Sequence, residues 1–248
     1  MTSPRHTSTH RAYRSGVRAR DGEAAFQVVV EETDLFIVAG QDLAPQALDA
    51  VHDLRGQLKA WMTLQPDFAA SLTPIAVPET APDIIQRMAH AASLCGVGPM
   101  AAVAGTVSQM VAERLAPLSR DILVENGGDL YMRSSRPRTC AILSDPSGEA
   151  SIGLALGADD FPLSLCASSA TIGHSLSLGS GDLVVVRSAN ASLADAAATA
   201  LCNILRDKRD LKRVTDIAQS LHEHGIDGVF AQCSGSITVW GDMELTAL

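Results

Sequence analysis

Asn126-Gly127-Gly128-Asp129 stands between two short apolar runs, Ile122-Leu123-Val124 and Leu130-Tyr131-Met132. Asn-Gly between apolar runs is a strong hairpin signal, because both residues accept the backbone conformations of a tight turn. The same short, period-two pattern recurs along the chain. Phe26-Gln27-Val28-Val29-Val30 and Leu35-Phe36-Ile37-Val38, separated by Glu31-Glu32-Thr33-Asp34, predict a second hairpin. Further strands are expected at 139–143, 151–156, 163–167, 183–186, 228–232 and 237–240.

Helices are predicted between these strands. Leu48, Val51, Leu54, Leu58, Trp61 and Met62 recur at helical spacing and predict an amphipathic helix over 45–64. Two more are expected at 83–95, stopped by Gly96, and at 99–115, opened by Pro99. Others begin near Ser192 and Leu211, while Pro74, Pro78 and Pro82 make 66–82 an extended connector. Hairpins with helices inserted between them define an α+β class with mainly antiparallel sheets. The connector does not join two self-contained patterns, so 21–248 reads as a single domain. Residues 1–20 are polar and basic, without an apolar segment, and read as a disordered arm rather than a secretory signal. Cytoplasmic location is the default expectation.

A formal charge of −9 argues against nucleic acid or an anionic membrane as the main partner. No apolar run reaches the roughly eighteen residues of a membrane span. The five cysteines are scattered and none forms a CxxC pair, which argues against zinc and redox motifs.

Several stretches could carry chemistry. On a helix, Asp195, Thr199 and Asn203 share one face, while Leu193, Ala197 and Leu201 share the other. A carboxylate and a hydroxyl one turn apart are hard oxygen ligands suited to Mg²⁺. The competing reading is a capping box from Ser192 to Asp195. Gly105 lies in a helix rich in Ala101, Ala102, Ala104 and Ser108, and marks the close approach of a neighbouring helix or of a ligand. Asn126 to Asp129 is either a plain turn or a place where backbone lies against a flat ring or a phosphate. The loop Ser168-Ser169-Ala170-Thr171-Ile172-Gly173-His174-Ser175 is too polar for a central strand. Within it His174 is a general base, a ligand contact or a surface histidine. Gly173-His174-Ser175-Leu176-Ser177 misses the nucleophile elbow, because Ser177 replaces the final glycine and a strand follows.

Glu125-Asn126-Gly127-Gly128-Asp129, Gly173-His174-Ser175 and Ala194 to Ala200 occur in the same order as in the ApbE-type flavin transferases, which the chain resembles at these motifs. It is more closely similar, over about 26–245, to an uncharacterised bacterial and archaeal ApbE-like family. The segments 98–105, Arg136-Pro137-Arg138-Thr139 and 173–179 carry that likeness. The resemblance implies an ApbE-like fold with sheets and helices around a central cleft. It implies FAD or a related adenine or flavin nucleotide as ligand, Mg²⁺ as cofactor, and FMN transfer to an acceptor protein or FAD cleavage as the reaction. Asp195 and Thr199 match the magnesium ligands; Asn126, Gly127, Gly128 and Asp129 match the turn near the nucleotide. His174 resembles the transferases' histidine, and is expected to be catalytic. Gly105, Ser169 and Thr171 are expected to line the nucleotide site. Three departures stand out. Ala104 and Gln109 replace a lysine and an aspartate, and 175–181 replaces an Asp-Pro-x-Thr-Gly segment. The alternative is a flavin- or nucleotide-binding protein without the reaction. The oligomeric state is left open.

Overall fold

The computed structural model describes residue 14 and residues 19–142, 152–170 and 181–248. Two antiparallel sheets share the strands. The larger has eight, in the order β1-β2-β3-β4-β7-β8-β9-β10, and the smaller has three, in the order β11-β6-β5. In the larger sheet these are β1 (Ala24–Val30), β2 (Thr33–Ala39), β3 (Ile122–Asn126), β4 (Asp129–Arg133), β7 (Leu163–Ser168), β8 (Leu183–Ser188), β9 (Ile226–Cys233) and β10 (Ser236–Gly241). The smaller comprises β5 (Arg138–Ile142), β6 (Ile152–Leu156) and β11 (Leu245–Ala247). Both expected hairpins form, and the β1–β2 hairpin tightens to two turn residues because Thr33 and Asp34 join β2 opposite Val30 and Val29.

Helices cover one face of the large sheet: α1 (Ala44–Leu64), α3 (Asp83–Cys95), α4 (Val103–Leu115), α5 (Ala191–Ile204) and α6 (Leu211–Ser220), with a single short turn, α2 (Asp67–Ala70), in the connector. α1 buries Val51, Leu54 and Leu58 as its spacing predicts, together with Ala47 and Ala50; Trp61 and Met62 are partly buried, and Leu48 is exposed instead of facing the core. Strand alternation then divides the interior. Val184 and Val186 of β8 point into the helical core, whereas Leu183 and Val185 meet Leu154, Leu156 and Met243 beneath the small sheet. β8 is thus covered on both faces, which explains its unbroken apolar run.

Three local expectations change. The helix expected over 99–115 is a 3₁₀ turn, Pro99–Ala102, followed by α4, with Ala102 leaving helical geometry at φ −114° and ψ 5°. Its carbonyl accepts the Thr106 hydroxyl at 2.5 Å. β7 extends through Ser168, so the polar loop begins one residue later. β11 has no counterpart among the expected strands: its three residues have an alternating but mostly exposed pattern, and only pairing with β6 defines them. Among the described residues no single helix is long and apolar enough to cross a membrane.

Candidate functional site

α5 is entered from β8 through a cap made by Asn190, whose side-chain oxygen accepts the Leu193 N–H at 3.2 Å. Asp195 therefore lies beyond the first turn and is not the capping acid; Ser192 is not the cap either, since its hydroxyl pairs with that of Thr106 at 2.7 Å. With capping removed, the Asp195 carboxylate needs another explanation. It reaches across to α4, where Oδ2 accepts the Gly105 N–H at 2.8 Å.

That contact needs two backbones at unusually short range. A Cβ on Gly105 would stand 2.3 Å from the Ala191 carbonyl oxygen and 2.9 Å from the Asp195 Cβ. Close helix packing accounts for this glycine, and it exposes its N–H to the acid. Gln109, at a position where an aspartate was expected from the transferases, secures the same junction: its Oε1 accepts the Ala191 N–H at 2.8 Å.

The Asn126–Asp129 turn closes on this junction from the sheet. Gly127 and Gly128 adopt φ of 69° and 109°, a pair of left-handed conformations that side chains disfavour and a two-residue hairpin requires. Asn126 donates to the Ala104 carbonyl at 3.3 Å, and the Ser108 hydroxyl donates to the Asp129 carbonyl at 3.0 Å. Asp129 Oδ1 accepts the Ala167 N–H at 3.3 Å. Residues about seventy apart in sequence thus bring two buried carboxyls, Asp129 and Asp195, into one patch, 6% and 8% exposed.

The electrostatics follow from burial. Loss of solvent pushes the Asp195 carboxyl up to about 7, against the Gly105 and Ala104 N–H groups, which pull it down. Asp129 is raised well above the usual carboxylate range, first by burial and then by the charge of Asp195. Cys166, on the helix-facing side of β7, is raised by burial and by both acids. No basic side chain pairs with either acid among the described residues. Two buried acids without a counter-charge are costly, and a bound cation would relieve that cost.

Asp195 and Thr199 are the oxygen donors that the resemblance assigns to a divalent ion. Thr199 lies one turn beyond Asp195 and is half-buried. Among the described residues no group of three or more His, Cys, Asp or Glu side chains could hold a metal ion. An ion held by Asp195 and Thr199 would therefore keep sites for water and phosphate oxygens, as Mg²⁺ does. The Ser168 hydroxyl, two residues past Cys166 on the same strand face, is buried without a hydrogen-bond partner among the described residues. Ser169 beside it donates to the Asp182 carbonyl at 2.5 Å. His174 and Thr171 lie outside the described residues. A cleft of about 260 Å³, lined by Gly40, Arg120 and Arg136 among others, does not include Asp195; it lies at the opposite end of the β3–β4 hairpin from the glycine turn.

Sequence reasoning missed Cys166 as part of this patch, for which no local signal exists, and read Gln109 only as a departure from the transferases' aspartate, not as the partner of the Ala191 N–H.

Comparisons agree with this geometry at the level of fold and family. A family model described as "AbpE bacteria" matches residues 17–239. A UPF0280 protein of Methanocella arvoryzae is 36% identical over 218 residues, covering 88% of this chain and 85% of that protein. A UPF0280 protein of Methanocaldococcus jannaschii is 30% identical over 220 residues, covering 87% and 89%. Among solved structures, the Pseudomonas stutzeri flavinyl transferase ApbE in its apo form aligns with a TM-score of 0.55 at 12% identity, covering 88% of this chain and 94% of that one. The flavin transferase ApbE from Vibrio cholerae aligns at 0.51 and 13%, covering 88% and 96%. Sharing the α+β fold of the ApbE flavin transferases and matching the family model over nearly its whole length, the chain belongs to the AbpE bacteria family.

Proposed function

We propose that the junction of α4, α5 and the Gly127–Gly128 turn binds a flavin adenine dinucleotide together with a divalent cation, and that the chain cleaves it, passing FMN to an acceptor hydroxyl. The observation that carries this reading is the buried, uncompensated pair Asp129 and Asp195 beside Thr199. Asp195 and Thr199 would hold the cation, which when bound neutralises charge on the phosphate oxygens.

The chain's own residues do the rest. Gly127 and Gly128 present backbone without a Cβ, so a ring or phosphate can lie against the turn. Asn126, tied to Ala104, and Asp129, whose carbonyl accepts the Ser108 hydroxyl, hold that turn against α4, while the Asp129 side chain ties it to β7 through Ala167. Gly105 holds the Asp195 carboxylate in place. Ser169 and Thr171 are the further residues that the resemblance assigns to nucleotide binding. His174 would take the proton of the attacking hydroxyl. The hydroxyl oxygen then bonds to the FMN phosphorus, the phosphoanhydride bond of FAD breaks, and AMP leaves with the electron pair.

A second reading is binding without transfer. Gln109 favours it, because it is engaged at the α5 N-terminus where the resemblance calls for an aspartate at the site. One experiment separates the two: purified protein is mixed with FAD and Mg²⁺, and AMP and protein-bound FMN are followed. AMP release supports cleavage; saturable binding without AMP supports the second reading; neither binding nor AMP overturns both.

A further inference from the structure

Glu125 heads the motif that forms the nucleotide turn, yet its side chain lies on the other side of the sheet. Val124 is in the helical core and Asn126 reaches α4, so strand alternation sends Glu125 to the opposite face. There its Oε1 accepts the Gly128 N–H at 3.0 Å, securing the second residue of the turn from outside.

Its other oxygen is held by a residue far away in sequence. Arg14 Nε donates to Glu125 Oε2 at 2.6 Å, while Nη1 donates to Asp34 Oδ1 at 2.7 Å and Nη2 to the Asp34 carbonyl at 2.9 Å. The guanidinium also lies over the Phe36 ring, 5.7 Å from its centre, and Phe36 is the β2 residue registered opposite Glu125. The Arg14 side chain is only 9% exposed and that of Glu125 14%. A flat fork that grips two acids and an aromatic face cannot be reproduced by lysine, whose ammonium is a single point.

We propose that Arg14 is a positioning residue for the nucleotide site, acting through Glu125 on the Gly127–Gly128 turn. The inference rests on the reading of that turn as part of a nucleotide site. Two effects operate. By fixing the Glu125 rotamer, Arg14 keeps the Gly128 N–H occupied and the turn in one conformation. It also offsets the Glu125 charge, which otherwise acts on Asp129 through the sheet. Arg14 precedes residues 17–239, the part matched by the family model, so a protein trimmed to that boundary would lose the contact.

The test uses the full chain with Arg14→Ala, Arg14→Lys and Glu125→Gln, alone and combined. Amide hydrogen exchange is measured residue by residue, and FAD binding in the presence of Mg²⁺ by titration. In Arg14→Ala the Gly128 amide should exchange about tenfold faster, with β2 and β4 amides distant from the turn much less affected, and FAD affinity should fall about tenfold, the scale of one charge-assisted hydrogen bond. Arg14→Lys should fall between, and Arg14→Ala should add little once Glu125→Gln is present. Unchanged Gly128 exchange, uniform loosening of the whole hairpin, or simple addition of the two single effects would overturn the proposal. If Arg14→Ala does not fold, Arg14→Lys carries the same comparison. Failure of wild type to bind FAD would sink the nucleotide reading, whereas the exchange measurement still decides whether Arg14 controls the turn.

Discussion

Replacing Gly105 by alanine tests the central packing claim. A Cβ there would sit 2.3 Å from the Ala191 carbonyl oxygen and 3.0 Å from its carbon. Both are backbone atoms, so no side chain can rotate away. Restoring ordinary contact at about 3.4 Å requires α4 and α5 to separate by roughly 1 Å, since cores resist overpacking. A shift of that size strains the 2.8 Å bond from Gly105 to Asp195. Overpacking costs about 1–3 kcal/mol, and a weakened hydrogen bond to a buried carboxyl about 1 kcal/mol more. Alanine returns about 1 kcal/mol through helix propensity. The net loss is about 2 kcal/mol, which for a chain of this size lowers Tm by roughly 4–8 °C. Gly56→Ala is the control: Gly56 lies in α1 with nothing within 4 Å of an added Cβ. It should gain about 1 kcal/mol from propensity alone. Thermal melts of both variants decide the matter. If Gly105→Ala is as stable as wild type, the helices do not meet as described, and the glycine must be explained by something else.

Two further outcomes follow from the acid pair. Mg²⁺ or Mn²⁺ should raise the Tm of wild type but not of Asp195→Asn or Thr199→Val; equal shifts in all three would remove the metal from this site. Because Asp195 is raised to about 7, the folded state retains a proton that the unfolded chain releases near its ordinary value of 3.8. Stability from this group is therefore fully present at low pH and is lost as pH rises between about 4 and 7. Without metal, the stability of Asp195→Asn relative to wild type should climb across that window, by an amount on the order of a few kcal/mol, read from thermal melts at each pH. A difference independent of pH would show that Asp195 is not desolvated.

How much was legible depends on whether a signal was local. Hairpins and helices were, because period, turn residues and stop signals act over a few neighbours: Gly127 and Gly128 announced their turn, and Val51, Leu54 and Leu58 announced the buried face of α1, although Leu48 is exposed. The motif order also located the fold, and the comparisons bear that out. What distinguished the two readings of Asp195 was not local. Ser192 and Asp195 have capping-box spacing, but the helix begins one residue earlier and takes Asn190 as its cap. Gly105 was legible as a place of close approach, while the identity of its neighbour was not; it came from α4 and α5 packing backbone to backbone. β11 was invisible because three residues carry too little pattern and exist as a strand only beside β6. The motif order put Asp129 and Asp195 at one site, but that the two acids are buried in one patch, and that Arg14 reaches Glu125, was not legible. Those pairs arise where separate elements meet, and the electrostatic cost of burying two acids together is a property of that meeting, not of either segment.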